Sequence, residues 1–358
     1  MENLKLFSIF LNIKNKIFDR FYKIRRVFLL AESIKLNELI SQIIRIILFG
    51  NRNFTEKKVT FGNKNPNEIF YIIRRTPPGA GLFSNYLLIL MHLYYAELNS
   101  YKAIIDWENY SNFYQEKNII NNTKNSWGYY FKQPITNSLE EVYKSKNVIF
   151  SSSNVSNILE TDYSVKDLNK ADFIQDADQI KKFNNLSKSI NLNEPTNLEV
   201  QKRLDNTFQN KKNILGIVLR GTDYLNKELS RGHATPFNID NSIEIVESLL
   251  NEWNMEHVYL STEVSEYVEI YQDYFNDKLV VLSRDRYLNH QNKKFINQYT
   301  RNRKHDKYLT GLEYLVEVYG LARCESIVGT SCGSLNAAII LNNNRYQNKK
   351  IFDLGRNY

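Results

Sequence analysis

Four short polar segments each follow an apolar run, and they hold most of the chemistry this chain offers. The first is Arg220-Gly221-Thr222-Asp223-Tyr224, directly after Ile214–Leu219, with Glu228 and Arg231-Gly232-His233 just beyond. An arginine presents a planar fork of donors that fits a phosphate or carboxylate. Gly221 lets the backbone turn without a side-chain clash. Asp223 has two roles open to it, orienting Arg220 or accepting a proton. His233 reads equally as a base and as a loop hydrogen-bonding residue. The second segment is Ser261-Thr262-Glu263, which a helix cap explains as well as a ligand does. The third is Ser283-Arg284-Asp285-Arg286, which opens a basic stretch running to Lys307. The fourth is Gly329-Thr330-Ser331-Cys332-Gly333-Ser334, small residues leading into a helix. Backbone donors and hydroxyls at such a start suit an anion. Glu317 lies on the helix before it.

These segments need elements that bring them together. From about residue 206 onward the pattern alternates: strands at 214–219, 258–260, 278–282, 326–328 and 350–352, with helices at 241–253, 263–275, 309–323 and 334–341 between them. Apolar strands alternating with helices predict an α/β fold with a parallel, doubly wound sheet. Ligands of such sheets sit beyond the carboxyl ends of the strands, which is where the four polar segments fall.

A second unit precedes it. Ile69–Ile73 reads as a strand, followed by Thr76-Pro77-Pro78-Gly79-Ala80-Gly81 and an apolar helix from Leu82 to Leu98. A glycine-rich turn between strand and helix can place backbone N–H groups against an anion, although Gly79 and Gly81 do not have the dinucleotide spacing. Further strands are expected at 102–106 and 147–150, with the crossing between units at about 190–212. The aromatic group Trp127 to Phe131 suits either sugar stacking or packing.

The chain has 358 residues, 42% of them hydrophobic, enough for two cores. Its formal net charge is +8, which favours an anionic partner: a phosphorylated ligand, a membrane surface or a nucleic acid. The basic residues are spread along the chain rather than gathered into one stripe with interleaved aromatics, so nucleic acid is not expected as a partner. Cys324 and Cys332 are too few for a disulfide framework or a metal site, and an intracellular chain is expected. Residues 1–49 hold no Pro and no Gly, and they interleave apolar and basic residues at helical spacing. They read as amphipathic helices, either packed on the protein or lying on an anionic membrane surface. Their longest apolar stretch is interrupted by Glu32, Lys35, Glu38 and Arg45, so neither a spanning helix nor a secretory leader is expected.

Val218-Leu219-Arg220-Gly221-Thr222-Asp223 resembles the first motif of the fucosyltransferase-like glycosyltransferases, His-x-Arg-Arg-(Gly/Thr)-Asp. The glycine-rich turn at 79–81, the Ser-Thr-Glu strand end and the small-residue turn at 330–334 follow in matching order, over about residues 69–358. Val218 stands in place of the motif histidine and Gly221 in place of the second arginine. The resemblance implies a GT-B fold, two facing Rossmann-like domains. The expected division is a helical extension at 1–60, an acceptor-side domain at 61–205 and a nucleotide-sugar domain at 206–358. It implies that Arg220 meets the donor diphosphate, that Thr330, Ser331, Gly333 and Ser334 meet the phosphates, and that Glu317 lies near the nucleotide base. Gly79, Gly81, Gly221, Thr262, Glu263 and Arg284 complete the expected donor site, and Asp223, Glu228 and His233 are the candidate bases. The implied reaction is inverting and metal-independent, with no cofactor beyond the nucleotide-sugar. A sugar passes from the donor, GDP-fucose or another GDP- or UDP-hexose, to a hydroxyl of a glycan or lipid-linked oligosaccharide, as in capsule or O-antigen synthesis. Such a protein is expected in the cytoplasm, peripheral to the inner face of the membrane. The alternative is a non-catalytic protein that binds a nucleotide or an anionic polymer.

Overall fold

Two sheets organise the chain in the computed structural model, which describes residues 54–288 and 295–357. The first sheet holds β1 (Lys57–Val59), β2 (Lys64–Ile73), β3 (Lys102–Ile105) and β4 (Ser145–Phe150) in the order β1-β4-β2-β3. β2 is parallel to β3 and β4, and β1 is an antiparallel edge on β4. The second sheet holds β5 (Ile214–Leu219), β6 (His257–Thr262), β7 (Leu279–Val281), β8 (Ser326–Thr330) and β9 (Asn348–Phe352). Its order is β7-β6-β5-β8-β9, parallel throughout. β5 is central because all six of its residues are buried, as its unbroken apolar sequence requires.

The helices are α1 (Leu82–Leu98), α2 (Leu139–Val142), α3 (Ser156–Tyr163), α4 (Ala177–Ser187), α5 (Glu194–Phe208), α6 (Ile239–Glu252), α7 (Ser265–Phe275), α8 (Asp306–Arg323) and α9 (Gly333–Asn342). α5 starts on Asn193, whose side chain accepts from the Thr196 N–H, with Pro195 in the first turn. α6 starts on Asn238 in the same manner. α1 is apolar on nearly every side and lies in the interior. Its residues join those of α8, α9, β2 and β6 in one continuous core. α9 packs on α1, α4 and α8, while α5 packs on α8 and β7. The layout is that of the expected GT-B type: two α/β sheets with flanking helices, the first of them mixed.

Both sheets reverse direction in the middle. The chain builds β5, β6 and β7 to one side, then returns to add β8 and β9 on the other. In the first sheet β3 and β4 flank β2 in the same way. The crevices where strand order reverses are therefore at the ends of β5 and β8, and of β2 and β4.

One expectation changes, and one pair of alternatives is decided. Lys57–Val59 lies within the stretch assigned to a helical extension, yet it is a strand that pairs with β4. Residues 1–53 of that stretch, with the amphipathic helices and their membrane contact, lie outside the described residues. Among the described residues no helix is long and apolar enough to cross a membrane. The aromatic group is packing, not a sugar platform. Trp127, Tyr129, Tyr130 and Phe131 are all at most 1% exposed. Trp127 stacks on Phe131 with ring centroids 4.3 Å apart, meets Trp107 edge-on, and donates its indole N–H to the Lys132 carbonyl. Trp127→Ala is expected to lower the unfolding free energy by about 3–5 kcal/mol, measured by urea denaturation.

Candidate functional site

Arg220 is the first residue past β5 and the centre of the candidate site. Its guanidinium forms ion pairs with Glu263 at 3.2 Å and Asp223 at 3.3 Å, and it lies over the Tyr224 ring, 4.4 Å from the centroid. Burial works against its charge, but Glu263 and then Asp223 more than offset this and hold it protonated. Its Nε is buried and has no hydrogen-bond partner among the described residues.

Glu263 does more than pair. Its Oε1 accepts from the Gly221 N–H at 2.8 Å and from the Thr222 hydroxyl at 3.1 Å, while its Oε2 faces Arg220. One carboxylate from the end of β6 thereby fixes three consecutive residues after β5. The approach is close: a Cβ on Gly221 would lie 2.4 Å from Val264 Cγ2, so only glycine fits. Thr222 takes a positive φ of 42°. The cap alternative for this segment does not hold. α7 starts on Val264 with no side-chain cap, and the Thr262 hydroxyl accepts only from the Val264 N–H two residues on.

The loop after Arg220 doubles back. Asp223 is buried and accepts from the Thr222 hydroxyl; burial raises its pKa, against the pull of Arg220. His233 sits at the surface with its ring 5.2 Å from that of Tyr224. Desolvation, together with Arg220 and Arg356, pushes its pKa below the ordinary histidine value. Glu228 is exposed. The C-terminal tail pins this loop. Asn357 donates its side-chain amide to the Ser230 hydroxyl at 2.7 Å and its N–H to the His233 carbonyl, and its own carbonyl accepts from the Gly232 N–H.

The small-residue turn meets the start of α1, just beyond the glycine-rich turn. Thr330 ends β8, Cys332 precedes α9, and neither α9 nor α1 has a side-chain cap. Ser331 donates to Asn336 Oδ1, and Ser334 lies 3.1 Å from the Cys332 sulfur. On the other sheet, Gly79 takes a φ of 77°, and Asn85 clasps the turn by accepting from the Ala80 N–H and donating to the Ala80 carbonyl. Gly81 leads into α1, whose Leu82 N–H donates to the Tyr114 hydroxyl. A Cβ on Gly333 would lie 3.1 Å from the Ser84 nitrogen. The N-termini of α1 and α9, one from each sheet, are therefore in contact. Each carries the partial positive charge of a helix start.

Arg284 and Glu317 are placed differently from the rest. They form an ion pair at 2.6 Å, each side chain 3% exposed, with Arg286 3.7 Å from the second Glu317 oxygen. Burial raises the pKa of Glu317, while Arg284 and Arg286 lower it. This triad ties the segment after β7 to α8. Among the described residues of the basic stretch beyond it, Arg303 pairs with Asp285, Asp306 and Glu313, and Arg301 lies over the Tyr287 ring. Among the described residues no group of three or more His, Cys, Asp or Glu side chains is arranged to hold a metal ion.

No protein-family model and no curated protein matches the chain. Solved structures do align with it. A crystal of NodZ α-1,6-fucosyltransferase soaked with GDP-fucose aligns at 14% identity over 76% of this chain and 92% of that one, with a TM-score of 0.43. POFUT1 in complex with GDP-fucose aligns at 10% identity over 82% and 99%, with a TM-score of 0.41. A mutant of FUT1 from Arabidopsis thaliana in complex with GDP aligns at 12% identity over 78% and 70%, with a TM-score of 0.42.

The structure thus brings Arg220, Gly221, Asp223, Thr262, Glu263 and His233 to the end of β5 and β6. Thr330, Ser331, Gly333 and Ser334 lie at the adjoining end of β8, with Gly333 against Phe83 and Ser84 at the start of α1. Sequence reasoning missed Asn85, Tyr114 and Asn357. Asn85 had a signal, a polar residue within the first turn of an otherwise apolar helix. Glu263→Ala is expected to cost about 3–5 kcal/mol by leaving Arg220 short of its main counter-charge, whereas Glu228→Ala should change stability by less than about 0.5 kcal/mol; chemical denaturation measures both.

Proposed function

We propose that the chain transfers a sugar from a nucleoside diphosphate donor to a hydroxyl of a glycan or lipid-linked acceptor. One observation supports this most: the starts of α1 and α9, neither closed by a side chain of its own N-cap residue, touch at Gly333 and Ser84, at the strand-order reversals of both sheets, with the Arg220 turn at the neighbouring strand end. Two helix dipoles and a permanently charged guanidinium suit two linked phosphates. Departure of a diphosphate is where charge develops, so donors held ready in a buried setting lower the barrier most. In this reading Arg220 and the Thr330–Ser334 turn receive the diphosphate, and residues 61–205 supply the acceptor side. The step needs no metal, because fixed protein dipoles and Arg220 take the place of a cation.

The acceptor hydroxyl must lose a proton as the bond forms. Asp223 is already engaged by Arg220 and Thr222 and is 6% exposed. His233 is exposed beside Tyr224 and kept neutral by its surroundings, and it is the base in this proposal. The sequence at 218–223 supports a GDP-sugar, fucose among them, through its resemblance to the fucosyltransferase-like motif. A different hexose donor is the second reading. Gly221 replaces the second motif arginine, and the 2.4 Å approach of Val264 leaves no room for a side chain there.

Thermal melting of the full chain with GDP, UDP, ADP and CMP tests the donor. One nucleoside diphosphate is expected to raise the melting temperature, and Arg220→Ala to abolish the rise. A flat response to all four would sink the proposal. Transfer assays across pH test the base. Because the His233 pKa is depressed, the proton-accepting form prevails above the ordinary histidine value. Activity should therefore hold down to about pH 6.5 and fall below it, and His233→Gln should remove that acid limb.

A further inference from the structure

Adjacent arginines at the end of β2 have opposite fates. Strand alternation sends Arg74 to one face and Arg75 to the other. Arg74 is fully engaged. It donates to the Ser151 and Thr55 carbonyls and to the Tyr110 hydroxyl, and it lies over the Phe54 and Phe150 rings at 4.2 and 4.6 Å. Arg75 shares its face with Tyr71 and Ile73, toward α1 and the core common to both sheets. Among the described residues no hydrogen bond or ion pair reaches its guanidinium.

The surroundings of Arg75 are well defined. Its Cδ lies 3.7 Å from the position a Cβ on Gly79 would occupy, so it runs beneath the glycine-rich turn. Asp167 is its main electrostatic neighbour, and its charge is felt at His92. Desolvation lowers its pKa to about 10. The loop carrying Asp167 is itself fastened to the α9 start, where Asn336 donates to the Leu168 and Lys170 carbonyls. Arg75 thus stands at the strand-order reversal of the first sheet, among three segments that also border the candidate site. Arg75 is half-buried, so its guanidinium keeps contact with water while losing part of its solvation, and an anion that pairs with it offsets that loss.

We propose that Arg75 binds an acidic group of the acceptor, a carboxylate or a phosphate ester, as a second anion position distinct from the donor diphosphate. The inference rests on the glycosyl-transfer reading for the word acceptor. Arg220 lies at the end of the second sheet and Arg75 at the end of the first. An acceptor held by Arg75 would present its hydroxyl across the junction of α1 and α9 toward the donor.

Isothermal titration of the full chain, with and without GDP, uses three probes: a disaccharide ending in glucuronic acid, its neutral counterpart ending in glucose, and that counterpart phosphorylated at the 6-position. The wild type should prefer at least one acidic probe over the neutral one by about tenfold or more, the usual scale for a charge-assisted pair. The favoured acidic probe tells carboxylate from phosphate. Arg75→Gln should abolish the preference and leave the GDP affinity within about twofold. Asp167→Asn should strengthen acidic binding, a gain that a misfolded variant cannot mimic. Equal binding of acidic and neutral probes by the wild type, or an unchanged preference in Arg75→Gln together with no gain in Asp167→Asn, overturns the proposal. So does a loss of GDP affinity in Arg75→Gln as large as that in Arg220→Gln, which would assign Arg75 to the donor. The probe arm is read without GDP as well, so a failed nucleotide response does not decide it.

Discussion

The Glu263 carboxylate is the constraint on which the site depends. It accepts from the Gly221 N–H and the Thr222 hydroxyl with one oxygen and pairs with Arg220 through the other. A buried carboxylate is expensive unless several donors compensate it, and here three do. The ends of β5 and β6 are thereby locked at a spacing that only glycine permits at 221. Arg220 cannot swing to solvent without leaving Glu263 unpaired. A donor fixed in advance needs no reorganisation when charge develops, which is the property that makes such groups effective at a leaving group.

Net charge is a poor guide to the proposed anion positions. Arg284, Arg286 and Arg303 all belong to internal ion networks, and Arg74 is spent on carbonyls and aromatic rings. These residues hold loops to helices. What distinguishes Arg220 and Arg75 is unspent capacity: a buried Nε without a partner in one, and a guanidinium with neither hydrogen bond nor ion pair among the described residues in the other. Both stand at a strand-order reversal, one in each sheet.

Much of the second sheet was legible in the sequence because its strands are short, wholly apolar and bounded by polar ends. Ile214–Leu219 has no other use than a central strand. The positions of Arg220, Gly221 and Ser334 follow from that sheet once its strand order is known. Contacts between units were not legible. Nothing local announces that Gly333 must face Ser84, or that Asn357 closes the loop at His233, since these are decided by packing between segments more than a hundred residues apart. Arg284 and Glu317 show the limit most clearly. Their types and positions suit a ligand, and only the third dimension shows that they pair with each other. The short strand Lys57–Val59 was missed because three residues carry no periodicity, and its existence depends on the free edge of β4.

The buried triad bears on how the site keeps its shape. Glu317 holds Arg284 at 2.6 Å and keeps one oxygen without a hydrogen bond, with Arg286 standing off at 3.7 Å. Such a cluster gains little stability over an apolar one of the same size, so its value lies in fixing geometry. It clamps the segment after β7 onto α8. α8 in turn packs on α1 and α9, whose starts form the proposed anion position. Loosening that clamp would let α8 shift against both helices at once. The relative placement of the two helix starts, and with it the shape of the proposed anion position, therefore depends on a salt bridge that touches neither.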